Sequence, residues 1–248
     1  MEIIGHRGAC GLAPENTLAS FRLAADLGAQ FVETDVQSTR DGRLILIHDD
    51  KLRRTTSGRG FVAEKTLGEL KRLDAGSWFP KRVLRKRRAA PRYAGERIPT
   101  IEELFDLSRE RGIGLYLEIK APCAPGMEKA LVAAIHDAGA LARCTVICFD
   151  RRVLARVRAI GPEIPLGYLF SRRTPDAVAR AVGVGAETIL PRVTRVTGKL
   201  IAEARRHNLK VVTWTVNDPK RMKRLAALGV DGIMSDFPDR LAAVARGT

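Results

Sequence analysis

The chain has 248 residues, 45% hydrophobic and 29% charged, which is the composition of a folded protein with a sizeable core and excludes global disorder. Lys and Arg number 43 against 28 Asp and Glu, a formal net charge of +15. The longest unbroken apolar run is the six residues Ala130–Ile135, far short of the roughly 20 a membrane span needs, and the opening MEIIGHRGAC lacks the basic segment and apolar core of a secretory signal, so a cytoplasmic protein is expected.

In chain order, Ile3–Gly5 reads as a first strand running into His6-Arg7-Gly8. The turn signal Pro14-Glu15-Asn16 precedes an amphipathic stretch, Thr17–Leu27, that reads as a helix. Phe31–Val36 is a second strand, and its two-residue period puts Glu33 and Asp35 on one side. Only seven residues separate it from the apolar run Leu44–His48, whereas a parallel crossover needs a dozen or more. With the turn dipeptide Asp41-Gly42 between them, Leu44–His48 is expected to return antiparallel as a hairpin arm above the barrel mouth. A turn at Arg40-Asp41 pairs positions whose numbers sum to about 81, which sets His48 opposite Glu33.

The stretch from about 50 to 97 fits no strand–helix repeat and reads as an inserted lobe. Between Lys51 and Arg97 there are 15 Lys or Arg and 4 Asp or Glu, so +11 of the net charge lies here, densest over Lys81–Arg88. A nucleic-acid patch, an anionic membrane surface and a solvated insertion beside an anion site are its three readings. No aromatic lies between Lys81 and Pro91, which argues against a stacking platform for single strands, and no nucleic-acid partner is expected.

From residue 101 the alternation is regular. Helix-like segments Ile101–Arg111, Glu128–Ala138, Val153–Ile160, Pro175–Val182, Val196–His207, Pro219–Leu228 and Pro238–Ala245 interleave with strand-like runs. Those runs are Leu115–Ile119, Thr145–Phe149, Leu166–Phe170, Thr188–Leu190, Val211–Val216 and Gly232–Ser235. Setting the hairpin arm aside, eight strands alternate with eight helices. That count predicts an α/β fold, a (β/α)₈ barrel spanning 1–248 as one domain with an insertion at about 50–97; a doubly wound open sheet is the alternative. No Gly-x-Gly-x-x-Gly or Walker A sequence opens a helix, so no nucleotide cofactor is indicated. Cysteines 10, 123, 144 and 148 form no CxxC pair and are expected to be reduced thiols.

Barrel enzymes carry their chemistry at the C-terminal ends of the strands. Those ends hold His6 and Arg7, then Glu33 and Asp35, then Glu118 and Lys120 in phase, with His48-Asp49-Asp50 on the hairpin arm, Trp214 and Asn217 near the end of the seventh strand and Asp236 near the end of the eighth. Glu33, Asp35 and Glu118 offer only oxygen donors, which suits Mg²⁺ or Ca²⁺. Pairing with Arg7 and Lys120 as a structural network is the competing reading. His136 and His207 fall in helices and read as structural or solvent-facing. Two histidines, two cations and a carboxylate cluster together are what a phosphoryl-type displacement needs.

The ordered set His6-Arg7-Gly8-Ala9, Pro14-Glu15-Asn16-Thr17, Glu33-Thr34-Asp35-Val36, Asp41-Gly42, His48-Asp49, Ile98-Pro99-Thr100, Glu118-Ile119-Lys120, Trp214-Thr215-Val216-Asn217 and Gly232-Ile233-Met234-Ser235-Asp236 resembles the signature of glycerophosphodiester phosphodiesterases over nearly the whole chain. The resemblance implies a (β/α)₈ barrel with an insertion after the second strand, a divalent cation, and cleavage of small glycerophosphodiesters to an alcohol and glycerol 3-phosphate. It implies His6 and His48 as the acid–base pair, Glu33, Asp35 and Glu118 as metal ligands, Arg7 and Lys120 near the phosphate, and Trp214 on the pocket wall. The segment Lys81–Arg92 is richer in basic residues than the family pattern, which leaves the alcohol portion of the substrate open. It also offers weak peripheral contact with an anionic membrane, as a lysophospholipase D or a related phospholipase would use. A phosphate-binding barrel without activity is the alternative from a different class, and the intact His6 and His48 argue against it.

Overall fold

The computed structural model describes residues 1–79 and 93–247; the basic run Lys81–Arg88 lies outside them. Nine strands are present among the described residues: β1 (Glu2–Gly5), β2 (Phe31–Ser38), β3 (Leu44–Leu46), β4 (Gly114–Ile119), β5 (Cys144–Cys148), β6 (Leu166–Phe170), β7 (Thr188–Pro191), β8 (Lys210–Thr213) and β9 (Gly232–Ser235). Eight of them pair in parallel and close into a barrel, β9 onto β1 and β1 onto β2. The helices are α1 (Leu18–Asp26), α2 (Leu67–Leu70), α3 (Ile101–Arg111), α4 (Met127–Asp137), α5 (Arg151–Ile160), α6 (Ala177–Val182), α7 (Gly198–Arg206), α8 (Pro219–Leu228) and α9 (Pro238–Ala245). Eight follow the barrel strands; the short α2 lies in the inserted lobe and has no counterpart in the sequence expectation. β8 stops at Thr213, short of the expected Val216.

Local chemistry sets the helix ends. Thr17, Thr100, Thr197, Asp150 and Asp218 each accept a backbone N–H from the first turn of their helix. At α3 the cap is reciprocal, with Glu103 accepting from the Thr100 N–H at 2.8 Å.

The barrel interior is filled by Ile4, Tyr116, Ile147, Leu169, Leu190, Val212 and Met234, with Phe31 packed against them. Each barrel strand supplies one. A larger apolar layer separates the barrel from its helices. Two residues further along the inward phase of six of the strands come His6, Glu33, Glu118, Phe149, Trp214 and Asp236. The strand period therefore converts an apolar floor into a polar mouth at the C-terminal end.

β3 pairs antiparallel with the last residues of β2, as the Asp41-Gly42 turn predicts. The register differs from the expected one: Val36 faces Leu46 and Ser38 faces Leu44, so paired numbers sum to 82, not 81. The reason is the turn. Thr39 N–H bonds Arg43 O at 2.9 Å, which leaves the three residues Arg40–Gly42 in the loop, with Gly42 at φ 76°. An odd loop gives an even sum. β3 is apolar on both sides because Leu44 and Leu46 face the barrel's outer layer, while Ile45 joins Ile47, Leu52, Val62, Leu70, Ala75 and Ile98 in a separate small core under the inserted lobe.

Candidate active site

His6 and Arg7 leave β1 through a tight turn, with Arg7 at φ 51° and Gly8 at φ 81°. A Cβ on Gly8 would lie 2.4 Å from Ser20 Oγ on α1, so glycine is required there for close approach as well as for its dihedral angle. The turn aims the Arg7 N–H at Glu33 Oε2, 3.0 Å away. The guanidinium reaches Glu15 (Nη1–Oε1 2.8 Å) and Asp35 (Nε–Oδ2 3.1 Å).

Glu33, Asp35 and Glu118 are all buried, at 2%, 1% and 8% exposure, and their ligand oxygens lie within 4.8 Å of one another. Lys120 Nζ sits 2.8 Å from Glu118 Oε1 and 3.3 Å from Asp35 Oδ1. Asn16, in the left-handed region at φ 55°, donates to Asp35 Oδ2 at 2.9 Å and accepts from Thr34 Oγ1 at 2.8 Å. The Pro14-Glu15-Asn16 signal is thus a structural brace for this cluster. Burial raises Asp35, but Arg7 and Lys120 outweigh it and hold the carboxyl below its ordinary range. At Glu33 the charges of His6 and Arg7 favour the carboxylate but are outweighed. Burial, then the charge of Asp35, push it up to about 7. Glu118 is also raised, first by burial and then by Asp35.

The mouth holds six carboxylates, Glu15, Glu33, Asp35, Asp49, Glu118 and Asp236. The cations around them are Arg7, Arg54 and Lys120, with His6 the fourth when protonated. The structural network expected from the sequence exists, yet with all six carboxylates ionised and His6 protonated it leaves an excess of two negative charges, in keeping with the raised Glu33 and Glu118. Three buried oxygen donors with that residual charge fit a hard divalent cation. The donor chemistry therefore fits the metal that the motif implies.

The two histidines flank the cluster. His6 Nδ1 bonds Asp236 Oδ1 at 2.7 Å, and its Nε2 lies 3.9 Å from Glu33 Oε2. His48 Nδ1 bonds Asp49 Oδ1 at 2.6 Å. The expected pairing of His48 with Glu33 is not found. The β3 ladder ends at Leu46, and the charged groups around His48 are Asp35, Arg7, Asp49 and Lys120. Burial lowers the affinity of both rings for a proton. At His6 the hydrogen bond to Asp236, followed by the charge of Glu33, overcomes burial and the pKa is raised. At His48 burial and the charges of Arg7 and Lys120 win over Asp35 and Asp49, and the pKa is lowered.

Glu15 and Asn16, quoted only within a turn motif, and four further residues of this arrangement were given no site role from the sequence. Asp236 and Asp49 lie inside quoted motifs, so position within the motif was the available signal. Arg54 chelates Glu15 with both terminal nitrogens at 2.7 Å and also binds Asp49, tying the lobe to the mouth; nothing in its spacing marks it. Cys10 donates its thiol proton to Asp236 Oδ1 at 2.9 Å. Burial and Asp236 raise that thiol well above its ordinary value, so it stays protonated and is no thiolate ligand. Trp214 stands at the rim with its indole N–H committed to Leu190 O at 2.8 Å and Phe149 edge-on at 5.5 Å between centroids. His136 is far from the mouth, half-exposed and paired with Glu163; His207 caps the end of α7.

Two clefts open beside this centre. One, of about 330 Å³, runs from Lys120 past Gln37 to Asp50, Phe61 and Glu64. The other, of about 580 Å³, runs from Ala121 and Pro122 past Phe149.

The model of the glycerophosphoryl diester phosphodiesterase family matches residues 6–240. The chain belongs to the glycerophosphodiester phosphodiesterase family. It is a phosphoric diester hydrolase acting on glycerophosphodiesters. A glycerophosphodiester phosphodiesterase of Caldanaerobacter subterraneus subsp. tengcongensis is 35% identical over 98% of this chain and 97% of its own. One from Bacillus subtilis is 34% identical over 98% of this chain and 86% of its own. Among solved structures, an Oleispira antarctica phosphodiesterase in complex with the product sn-glycerol-3-phosphate superposes with TM-score 0.87 at 31% identity, covering 99% of this chain and 97% of that one. The glycerophosphodiester phosphodiesterase of Agrobacterium tumefaciens superposes with TM-score 0.83 at 29% identity over 98% and 99%. Among the described residues no helix is long and apolar enough to cross a membrane.

Proposed function

We propose that the chain hydrolyses small glycerophosphodiesters to glycerol 3-phosphate and an alcohol, with His48 as general base and His6 as general acid. The observation that carries this reading is a pair of imidazoles, each with Nδ1 bonded to a carboxylate, flanking one buried carboxylate cluster; their surroundings raise the proton affinity of His6 and lower that of His48. Paired groups whose surroundings drive their pKa values apart divide the acid and base roles between them. Asp49 accepts from Nδ1–H of neutral His48, which leaves the Nε2 lone pair free to take a proton from the nucleophile. That nucleophile is the glycerol 2-hydroxyl, closing a cyclic phosphate that water then opens, or water itself. His6 keeps its proton through Asp236 and gives it to the departing alcohol oxygen. Arg7 and Lys120, which contact different oxygens of Asp35, would neutralise the charge of the phosphate. Trp214 and Phe149 form the apolar wall beside it.

Glu33, Asp35 and Glu118 would hold Mg²⁺ or Ca²⁺, which supplies charge neutralisation at the phosphate when bound. The lobe over about 50–97 belongs to the same catalytic unit as the barrel, because Arg54 joins it to Glu15. Four free thiols suit a reducing compartment, the cytoplasm. Release of glycerol 3-phosphate from a panel of diesters, with and without chelator, tests this. Activity is expected to vanish in chelator and return with either cation. No release from any diester overturns the function, and full activity with metal absence verified by elemental analysis overturns the metal assignment.

A further inference from the structure

We propose that the larger cleft is the subsite for the alcohol portion of the substrate and that it takes alcohols carrying a second phosphate. This rests on the diesterase reading above and names its substrate class. The cleft begins at Ala121 and Pro122, directly after Lys120, and passes Phe149, which touches Trp214. It is therefore continuous with the rim where the leaving alcohol departs. Its far side is lined by Arg151 at the start of α5 and Arg180 on α6. Arg152 also lines it, but it is committed to Asp150, the one carboxylate in the cleft, through three contacts of 2.7 to 3.2 Å. The side chains of Arg151 and Arg180 make no hydrogen bond or ion pair among the described residues.

Two guanidiniums without a partner among the described residues, on separate elements, thus line one cleft. With Asp150 neutralised by Arg152, the cleft carries a net positive charge, and such a cleft concentrates oppositely charged ligands. Guanidinium forks match phosphate oxygens in pairs, as an ammonium does not. The smaller cleft has the opposite character. Asp50 and Glu64 line it, its one cation, Lys120, is already paired with Glu118 and Asp35, and carboxylates there suit hydroxyl donors and repel a second phosphate. The charge difference between the two clefts orients the diester, with the anionic alcohol toward Arg151 and Arg180.

The test compares glycerophosphoinositol with glycerophosphoinositol 4-phosphate, which differ by one phosphomonoester, using glycerol 3-phosphate release as the readout. The wild-type protein is expected to show the lower KM for the phosphorylated alcohol. In Arg151→Ser/Arg180→Ser that KM should rise about tenfold or more, the size of losing charge-assisted hydrogen bonds, while KM for the unphosphorylated diester changes less than twofold and kcat for both is kept. Arg151→Lys/Arg180→Lys, which retains charge without the fork, should fall between. Equal KM for the two diesters in the wild type, or an equal rise for both in the serine variant, overturns the subsite and leaves the diesterase reading standing. Turnover of neither diester nor any other in the panel overturns the diesterase reading itself. If the serine variant loses binding to vesicles containing phosphatidylinositol 4-phosphate while soluble kinetics are unchanged, the arginines serve a lipid surface and the alcohol subsite is overturned.

Discussion

At the scale of single residues, the mouth works by unequal treatment of like groups. His6 and His48 have the same Nδ1–carboxylate arrangement, yet their surroundings push them in opposite directions. His6→Ala and His48→Ala should each lower kcat by about 10²–10⁴-fold with little change in KM, the signature of an interaction used in the transition state. His136→Ala and His207→Ala should leave kcat within twofold; steady-state kinetics on one diester decide, and equal losses at the helix histidines would displace the site. Glu33 and Asp35 are likewise divided, one raised to about 7 and the other lowered. Below about pH 7 a cation must expel the Glu33 proton, so Mg²⁺ or Ca²⁺ should bind more tightly as pH rises and should release protons. Calorimetric titration in buffers of different ionisation enthalpy measures this. The same shift has a stability sign. Folded Glu33 holds its proton above the pH at which the unfolded group loses it, so in metal-free protein stability falls as pH rises from about 4.5 to about 7. Glu33→Gln should therefore raise the Tm of the metal-free protein at pH 8 and leave it nearly unchanged at pH 5.

At the scale of elements, the inserted lobe is built as a small core plus polar fasteners. Asp74 accepts from Gly76 N and Ser77 N at 2.8 and 2.7 Å with one oxygen, and from Ser77 Oγ and Gly95 N at 2.8 Å with the other. Despite some burial, these bonds hold its carboxyl at about 2. It thereby joins the two ends of the segment between Phe79 and Tyr93, whose rings also meet edge-on at 5.8 Å. Asp74→Ala should accelerate hydrogen exchange at Gly76, Ser77 and Gly95 while the barrel strands keep their protection. The wild-type fastening is complete above about pH 4 and is lost as pH falls through about 2. A barrel that loosens together with the lobe would show that the two are not separable units. Arg54 is the lobe's link to the chemistry, since it binds Glu15 and Asp49 at once. The hairpin β2–β3 supplies both the platform for this lobe and the approach of His48.

At the scale of the whole molecule, charge is unevenly distributed along the chain. The mouth is locally rich in carboxylates, while the chain carries +15, of which +11 falls between Lys51 and Arg97. Surface charges act over about 8–10 Å at physiological salt, so the effect expected of such a run is on the encounter rate with anions rather than on bond breaking. Replacing Arg85, Lys86, Arg87 and Arg88 by Ser should lower kcat/KM for anionic diesters at low salt, with the loss shrinking as salt rises and kcat unchanged. A salt titration of kcat/KM reads this directly; identical curves for variant and wild type would mean the run takes no part in encounter.

Much of the fold was legible because period and punctuation are local. Apolar runs bounded by Pro and Gly revealed eight strand–helix units, and a seven-residue gap excluded a parallel neighbour for Leu44–His48. The inward phase of β1, β2 and β4 likewise exposed His6, Glu33, Asp35 and Glu118 as one set. The tertiary structure decided what depends on closure and on turn length. The hairpin register shifted by one because three residues, not two, fill its loop. His6 met Asp236 only because β9 closes against β1, and they stand 230 positions apart. Arg54 reached Glu15 and Asp49 only through the packing of a lobe that has no repeat to read. Which histidine keeps its proton also rests on that assembly, because the deciding charges and the burial come from five different segments of the chain.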